Sequence, residues 1–564
     1  MRKKRFLIPI AALLIFVMMF AACGGAAPDA GADAGDGAGA GVTALPPAET
    51  TVDDVTRGGE FVYGLRLVRA PIDTTRSTWI ESGVMQRVAM EGLLYFCVLT
   101  FEYEPNLAID HPNVSPDGLV WNWQLRPGVY FHDGSYLTSD DILWAIERSM
   151  NPEFGTIMAT SFIGIVGAEE FMNGEADTIT GFRIIDDYNF EVTLLESNAL
   201  FRHFFGTIPI GPRQAMLDAG PDWGVSVLIG TGPFMLDWHD PDIAARFVRN
   251  ENYHTPERAA VGIDSVLFRL FEDMNTLFLE YEAGNLDAAN LPTTFVPHYR
   301  DHPTFASHVG TFPGFGHWFL LLNHEVYPWN NLLVRQAFTY TFCVTELARD
   351  LMDGVVAPAG GFVNPIMMGH NPDRQPRERN IERARELLAE AGYGPDHVFD
   401  VVINTSNIEG VAGRSIVAIS ALAGDAGFNV MPEQLDSAVW AANLLAGIVP
   451  AHGNAYWEFS VDTDGIFFTQ FHSSRSPGRS INFFSDEVDR LLEEARGSLD
   501  HERRLEIYRI VDDIVVDQVA IIPLYWPIDF YMVQPWVTNY QMGNFQPNVR
   551  TLGLDLDAMP AHRR

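Results

Sequence analysis

Lysine is almost missing from this chain. Lys3 and Lys4 are the only two among 564 residues, so a lysine-specific protease has no target beyond residue 4. Nothing in the physical chemistry of the chain accounts for this. Positive charge is scarce in general: 37 basic residues face 73 acidic ones, and the formal net charge is -36. Such a chain repels a phosphate backbone, which excludes nucleic acid as a partner. The same acidity keeps an exported protein soluble, and solvated faces account for most of it, so no substrate charge is read from it. Cysteine is scarce too. There are three, Cys23, Cys97 and Cys343, with no CxxC pair and no Cys/His cluster. Cys97 and Cys343 lie in apolar runs, "LLYFCVLTF" and "YTFCVTEL", and are expected to be buried free thiols rather than a disulfide. The GxSxG elbow, HExxH and the SxxK set are absent. "DTDG" at 462–465 fails the calcium-loop spacing, and the histidines show no ligand spacing for nickel. Carboxylate pairs prove nothing in so acidic a chain. An anchored hydrolase is therefore the remote reading; no enzyme, cofactor or metal is expected.

A second long hydrophobic run is also lacking. Only Phe6–Phe20 approaches the ~20 residues a membrane span needs, and it falls short. Arg2, Lys3, Lys4 and Arg5 precede it, and the small residues Ala21 and Ala22 lead to Cys23. This is a targeting segment, residues 1–22, rather than structure. It resembles the lipobox of bacterial lipoproteins, in which the cysteine is lipidated and becomes the first residue; Phe20 departs from the more usual leucine. An ordinary secretory signal with an incidental cysteine is the alternative. Residues 23–57 are rich in Gly, Ala and Asp without an aromatic residue. They cannot bury apolar surface and read as a flexible tether. Their glycines have no strand–helix context, which excludes a phosphate loop.

Beyond residue 57 the chain turns globular. Hydrophobic residues make up 47% of the whole and aromatics 12%, enough for large cores, and the length calls for two or three domains. "GGEFVYGLRL" and "GIDSVLFRLF" read as strands, and "FRIIDDYNFEVTLL" as a hairpin turning at "DDYN". Helices are expected where caps meet a 3.6-residue stripe. Thr138 and Asp141 open one carrying Ile142, Ile146 and Met150. Asn380 opens another carrying Ile381, Ala384, Leu387, Leu388 and Ala391, closed by Gly392. Ser485 opens a third carrying Val488, Leu491, Leu492 and Ala495, closed by Gly497. These stripes are core faces, and no internal repeat is visible.

"LRPGVYFHDG", residues 125–134, sets His132 beside Asp133. The pair could be a base with its orienting partner. Yet Val129–His132 alternates as a strand, Asp133–Gly134 is a tight-turn signal, and "LTSDD" starts a helix. Scaffold accounts for every residue.

Several segments together resemble the large extracellular solute-binding proteins of ABC importers, family 5. They are "VSPDGLVWNWQLRPGVYFHDGSYLTSDDILWAIER", "IGTGPFMLDW", "RNENYH", "LEYEAGNLDAANLP", "LLNHEVYPWNNLLVRQAFTYTF", "ARELLAEAGY" and "EVDRLLEEARGSLDHERRLEIYRIVDDIVVDQVAIIPLY". They stand in the family's order and cover most of residues 58–545. The resemblance implies an α/β, two-lobe periplasmic-binding-protein fold (type II) with an extra third domain. Lobe I would comprise 58–82, 206–312 and 526–564, accessory domain II 83–205, and lobe III 313–525. A ligand, a peptide first of all, would be captured by hinge closure of a cleft and delivered to permease and ATPase subunits of an importer. The protein would be a monomer, lipid-anchored through Cys23 on the extracytoplasmic side, at the cell surface or in the periplasm. A surface peptide sensor and a saccharide binder are the alternatives.

Peptide ends need charged partners if they are desolvated. The dipeptide binders of this family place an aspartate in Trp-x-x-Asp for the peptide amine. The matching stretch here is "WEFS": Trp457 is kept and Ser460 replaces the aspartate. Glu458, Asp462 or Asp464 could substitute. The loop "NTSNIEGVAGR" lacks the family's carboxylate-binding arginine at its place, with Arg414 following closely. The resemblance thus supports a solute binder more strongly than a reader of free dipeptides.

Overall fold

The computed structural model describes residues 57–97, 100–154, 156, 159–255, 262–457, 461–543 and 546–564. The targeting segment, the tether up to residue 56 and Cys23 lie outside the described residues, as do Glu458 and Ser460. Among the described residues no helix is long and apolar enough to cross a membrane. The chain falls into two compact units. Of the described residues, one takes in 57–312 with Arg496–His501 and Asp529–Arg564; the other comprises Pro313–Ala495 and Glu502–Ile528.

The first unit is built on β1 (Glu60–Arg66) and carries a separate small sheet. That sheet is four-stranded: β2 (Asn113–Val114), β3 (Val120–Gln124), β4 (Phe182–Ile184) and β5 (Asn189–Thr193), in the order β2–β3–β5–β4. β4 and β5 are the expected antiparallel hairpin, and Asp186 holds its turn by accepting from the Tyr188 and Asn189 amides at 2.9 and 2.8 Å. Helix α1 (Ser139–Met150) packs Ile142, Ile146 and Met150 into this region's own core with Trp121, Trp123 and Phe190. Its start is fixed by Asp141, which accepts from the Thr138 amide at 2.9 Å and hydroxyl at 3.1 Å.

The larger sheet of this unit adds β6 (Phe234–Asp240), β7 (Ala244–Arg249), β8 (Ser265–Phe271) and β9 (Ala288–Leu291), in the order β6–β7–β8–β1–β9. β1 runs parallel to both neighbours, β8 and β9. Its alternation suggests one buried face, yet Phe61, Val62, Tyr63 and Leu65 are all buried. A central parallel strand is covered on both sides, so both sets of side chains go inward.

The second unit has β10 (Gly316–Leu322), β11 (Val356–Pro358), β12 (Phe399–Thr405), β13 (Phe428–Gln434) and β14 (Ala451–Trp457), with the first part of β15 (Ile521–Val533). Here the order is β13–β12–β14–β10–β15, with β11 also pairing β15. Residues Phe530–Val533 of β15 pair with β9. Helix α2 (Ile381–Glu390) starts where Asn380 accepts from the Arg383 amide at 2.9 Å and buries Ile381, Ala384, Leu387 and Leu388. Helix α3 (Val411–Ala423) lies over β13 and β14 and buries Ile416 and Ile419. Helix α4 (Asp486–Gly497) buries Val488, Leu491, Leu492 and Ala495 as its stripe requires.

Two expectations need correction. Val129–His132 is not a strand: only Tyr130 makes a ladder contact, an isolated bridge to Tyr136. The two residues flank the tight turn, too close for a longer ladder. Cys97 and Cys343 are free thiols, but each is half-buried rather than fully buried. Cys97 ends a strand in a short two-stranded ribbon and Cys343 precedes a helix, so neither sits mid-core.

Candidate functional site

The His132–Asp133 pair forms no base–acid contact. The His132 ring lies between two backbone groups: Nδ1 accepts from the Gly230 amide at 3.2 Å, and Nε2 is 3.0 Å from the Gly232 carbonyl. Burial lowers its pKa and keeps the ring neutral. Asp133 turns away and accepts from the Ser135 amide and hydroxyl at 2.9 and 2.6 Å. Gly134 supplies the positive φ, +87°, that the turn demands. This segment is scaffold.

The second unit gathers a different set of groups on one face of its sheet. Gly316 of β10 stands opposite Trp457 of β14, and a Cβ built on that glycine would lie 2.7 Å from the Trp457 ring. The glycine lets the indole lie flat against the strand. Trp318 meets Trp457 edge-on, with centroids 6.1 Å apart and planes at 83°. Across the next ladder Trp318 is paired with Tyr525 of β15, which puts both side chains on the same face. That face looks toward α3, because the Tyr525 hydroxyl is 3.1 Å from that of Ser415. Arg414, one residue earlier on α3, is half-buried. Its Nη2 reaches Met352 Sδ at 3.4 Å, and among the described residues its buried Nε has no hydrogen-bond partner and no carboxylate pairs with it. Two half-buried indoles result, backed by the fully buried Tyr525 ring, with an arginine that has no counter-ion among the described residues.

The predicted residues separate. Trp457 and Arg414 belong to this face. Asp462 is committed elsewhere: its two oxygens take the Arg504 guanidinium bidentately, each at 2.7 Å, and Arg504 is held in turn by the Ala495 carbonyl at 2.9 Å. Asp464 is fully buried at the start of a helix, its amide donating to Asp462 at 3.1 Å. Trp318, Tyr525 and Ser415 were not singled out in the sequence. Their signal was weak: a tryptophan in "FGHWFLLL" and a tyrosine in "IIPLYWP" read as core. Among the described residues no cluster of three or more His, Cys, Asp or Glu could hold a metal.

This arrangement can hold an aromatic or peptide-like solute and present one cation to an anionic group. It offers no nucleophile with a base. The sequence profile of the bacterial extracellular solute-binding proteins, family 5 (Middle), matches residues 102–478. The chain belongs to that family; it is a solute-binding protein and not an enzyme, with the family's α/β fold. It is 26% identical to heme-binding protein A of Haemophilus influenzae over 86% of this chain and 90% of that one. It is 23% identical to the periplasmic oligopeptide-binding protein OppA of Salmonella typhimurium, over 88% and 94%. The solved structure of HbpA2 from Haemophilus parasuis superposes with a TM-score of 0.78 at 20% identity, covering 88% of this chain and all of that one.

Proposed function

We propose that this protein captures a short peptide outside the cytoplasm and hands it to the permease of an ABC importer, held at the membrane by a lipid on Cys23. Arg414 carries the peptide reading. A half-buried guanidinium whose Nε lacks an acceptor among the described residues is costly unless an anion arrives, and the adjoining half-buried indoles suit a chain with mixed side chains. The peptide carboxylate is the matching anion, because a planar guanidinium pairs with carboxylate in a fixed geometry. OppA's name, at full-length similarity, supports the same choice of ligand.

Calorimetry with a random peptide pool tests this. The ligand-free protein binds the pool, and Arg414→Ala weakens binding by about 1.5–3 kcal/mol, the worth of a hydrogen bond to a charged group. A protein that ignores peptides and takes up sugars instead ends the reading. For the anchor, Cys23→Ala releases the protein from membranes; a Cys23→Ala chain that still carries a diacylglycerol adduct ends that part.

A further inference from the structure

The second unit contains a cavity of about 360 Å³ that lies wholly within it and takes no part in the Trp318–Trp457 face. Its size is that of pockets that take small organic molecules. The floor is apolar: Phe342, Val344, Val516, Ile521 and Ile522 are each less than a tenth exposed. The walls are tied down. Ile521 and Ile522, at the start of β15, stand opposite Leu321 and Leu320 of β10, and the Ala359 amide donates to the Leu524 carbonyl at 3.0 Å. Gly360 then lets its segment press on the opposite wall, because a Cβ there would come within 2.0 Å of the Arg374 carbonyl oxygen.

Two arginines stand at the rim, and only one is neutralised. Arg374 forms ion pairs with both Asp513 and Asp517. Arg377, half-buried, has no carboxylate partner among the described residues. Its Nη1 donates to the Thr339 hydroxyl, whose own proton goes to the Gln336 carbonyl at 2.8 Å. Its guanidinium lies over the Tyr340 ring, 4.9 Å from the centroid. A hydroxyl and a ring face thus hold the planar fork in place without cancelling its charge. Asp517 also lines the cavity, so a second negative charge on a ligand would meet a carboxylate rather than a spare cation. An apolar floor with one free cation at its edge matches a body of hydrocarbon that carries a single negative charge.

We propose that this cavity is a second ligand site, for a small monocarboxylic acid whose apolar body lies on the floor and whose carboxylate pairs with the free edge of Arg377. Carboxylate is the matching head group because the guanidinium fork pairs with it in a planar, two-bonded geometry. The site does not depend on the peptide reading above.

Octanoate is the probe, with octan-1-ol as its uncharged counterpart, titrated by calorimetry into the full chain. Wild type should bind one octanoate and prefer it to octanol. Arg377→Gln should weaken octanoate by about 10- to 100-fold, the worth of a hydrogen bond to a charged group, and leave octanol as it was. Should that variant not fold, hydrogen exchange on wild type gives the answer: octanoate should protect residues 339–344, 359–360 and 516–523. A wild type that ignores octanoate, or binds octanol equally well, overturns the proposal. So does protection confined to other segments, or a loss of octanoate binding in Arg414→Ala that Arg377→Gln does not share.

Discussion

Glu91 and Asp529 are both acidic side chains in buried surroundings, and they could hardly be treated more differently. Glu91 is 4% exposed, and five groups serve it. Asn106 Nδ2 donates to it at 3.2 Å, Thr231 Oγ1 at 2.9 Å and the Tyr253 hydroxyl at 2.8 Å; His254 Nε2 lies at 2.9 Å, and Arg550 completes an ion pair. Arg550 is itself clamped over the Tyr95 ring at 4.4 Å. Burial alone would raise the Glu91 carboxyl, but Arg550 and then His254 outweigh it and hold it well below the ordinary range. Asp529, on β15, has burial without any of this: its buried Oδ2 makes no hydrogen bond among the described residues, and its carboxyl moves the other way. A carboxylate saturated by its own chain is scaffold. One left without a donor carries the cost of its burial uncompensated.

The sharpest way to break this contrast is Glu91→Gln. The amide keeps the shape but strands Arg550 as a buried cation, and we expect a loss of about 3–5 kcal/mol in urea unfolding at pH 7. A loss under 1 kcal/mol would mean that the cluster is not the closed unit its geometry describes.

Asp529→Asn should change stability with the opposite sign. The folded carboxyl titrates near 7 and the unfolded one near 3.9, so the folded state binds the extra proton between those values. Its favourable contribution is complete below about pH 4 and lost as pH rises through 7. Ligand-free Asp529→Asn should therefore be about 1–3 kcal/mol more stable than wild type at pH 8, and the gain should vanish at pH 4. Melting curves across that range test it. Glu91 gives the contrary slope: its contribution is present above about 4.3, the unfolded carboxyl value, and fades as pH falls below it.

The turn at residue 134 supplies a third term. Gly134→Val forces a β-branched residue to φ +87° and should cost about 1–3 kcal/mol in the same unfolding experiment. The smallest effect belongs to His132→Gln, whose ring meets only backbone groups: ligand affinity should be unchanged within error in calorimetry. A large affinity loss at an unchanged melting temperature would return His132 to the ligand site.

Legibility in the sequence follows the distance over which each feature is specified. Helices α1, α2 and α4 could be read because their caps and stripes lie within a dozen residues. The β4–β5 hairpin could be read because "DDYN" closes it locally. β1 was recognised as a strand, but its burial on both faces depends on β8 and β9, some 200 residues later. The Glu91 cluster draws on partners 15, 140, 162, 163 and 459 residues away, and no pattern along the chain announces it. On the face built around Gly316, Trp457 and Arg414 were singled out through family resemblance. Trp318 and Tyr525 stand in apolar stretches that read as core, and Tyr525 is indeed fully buried.

The near absence of lysine acquires a meaning from the ion pairs. Among the described residues every permanently charged cation in them, from Arg148 with Asp73 to Arg563 with Asp287, is a guanidinium. Lysine side chains surrender their protons near pH 10, whereas guanidinium holds its proton beyond 12. Alkali that would dissolve a lysine-based lattice leaves this one intact. The first buried groups to fail would be phenols, and those are themselves shielded: burial pushes Tyr525 up to about 12. The body also lacks ε-amines, so amine-directed cross-linkers and carbonyl adducts find nothing to react with along its side chains.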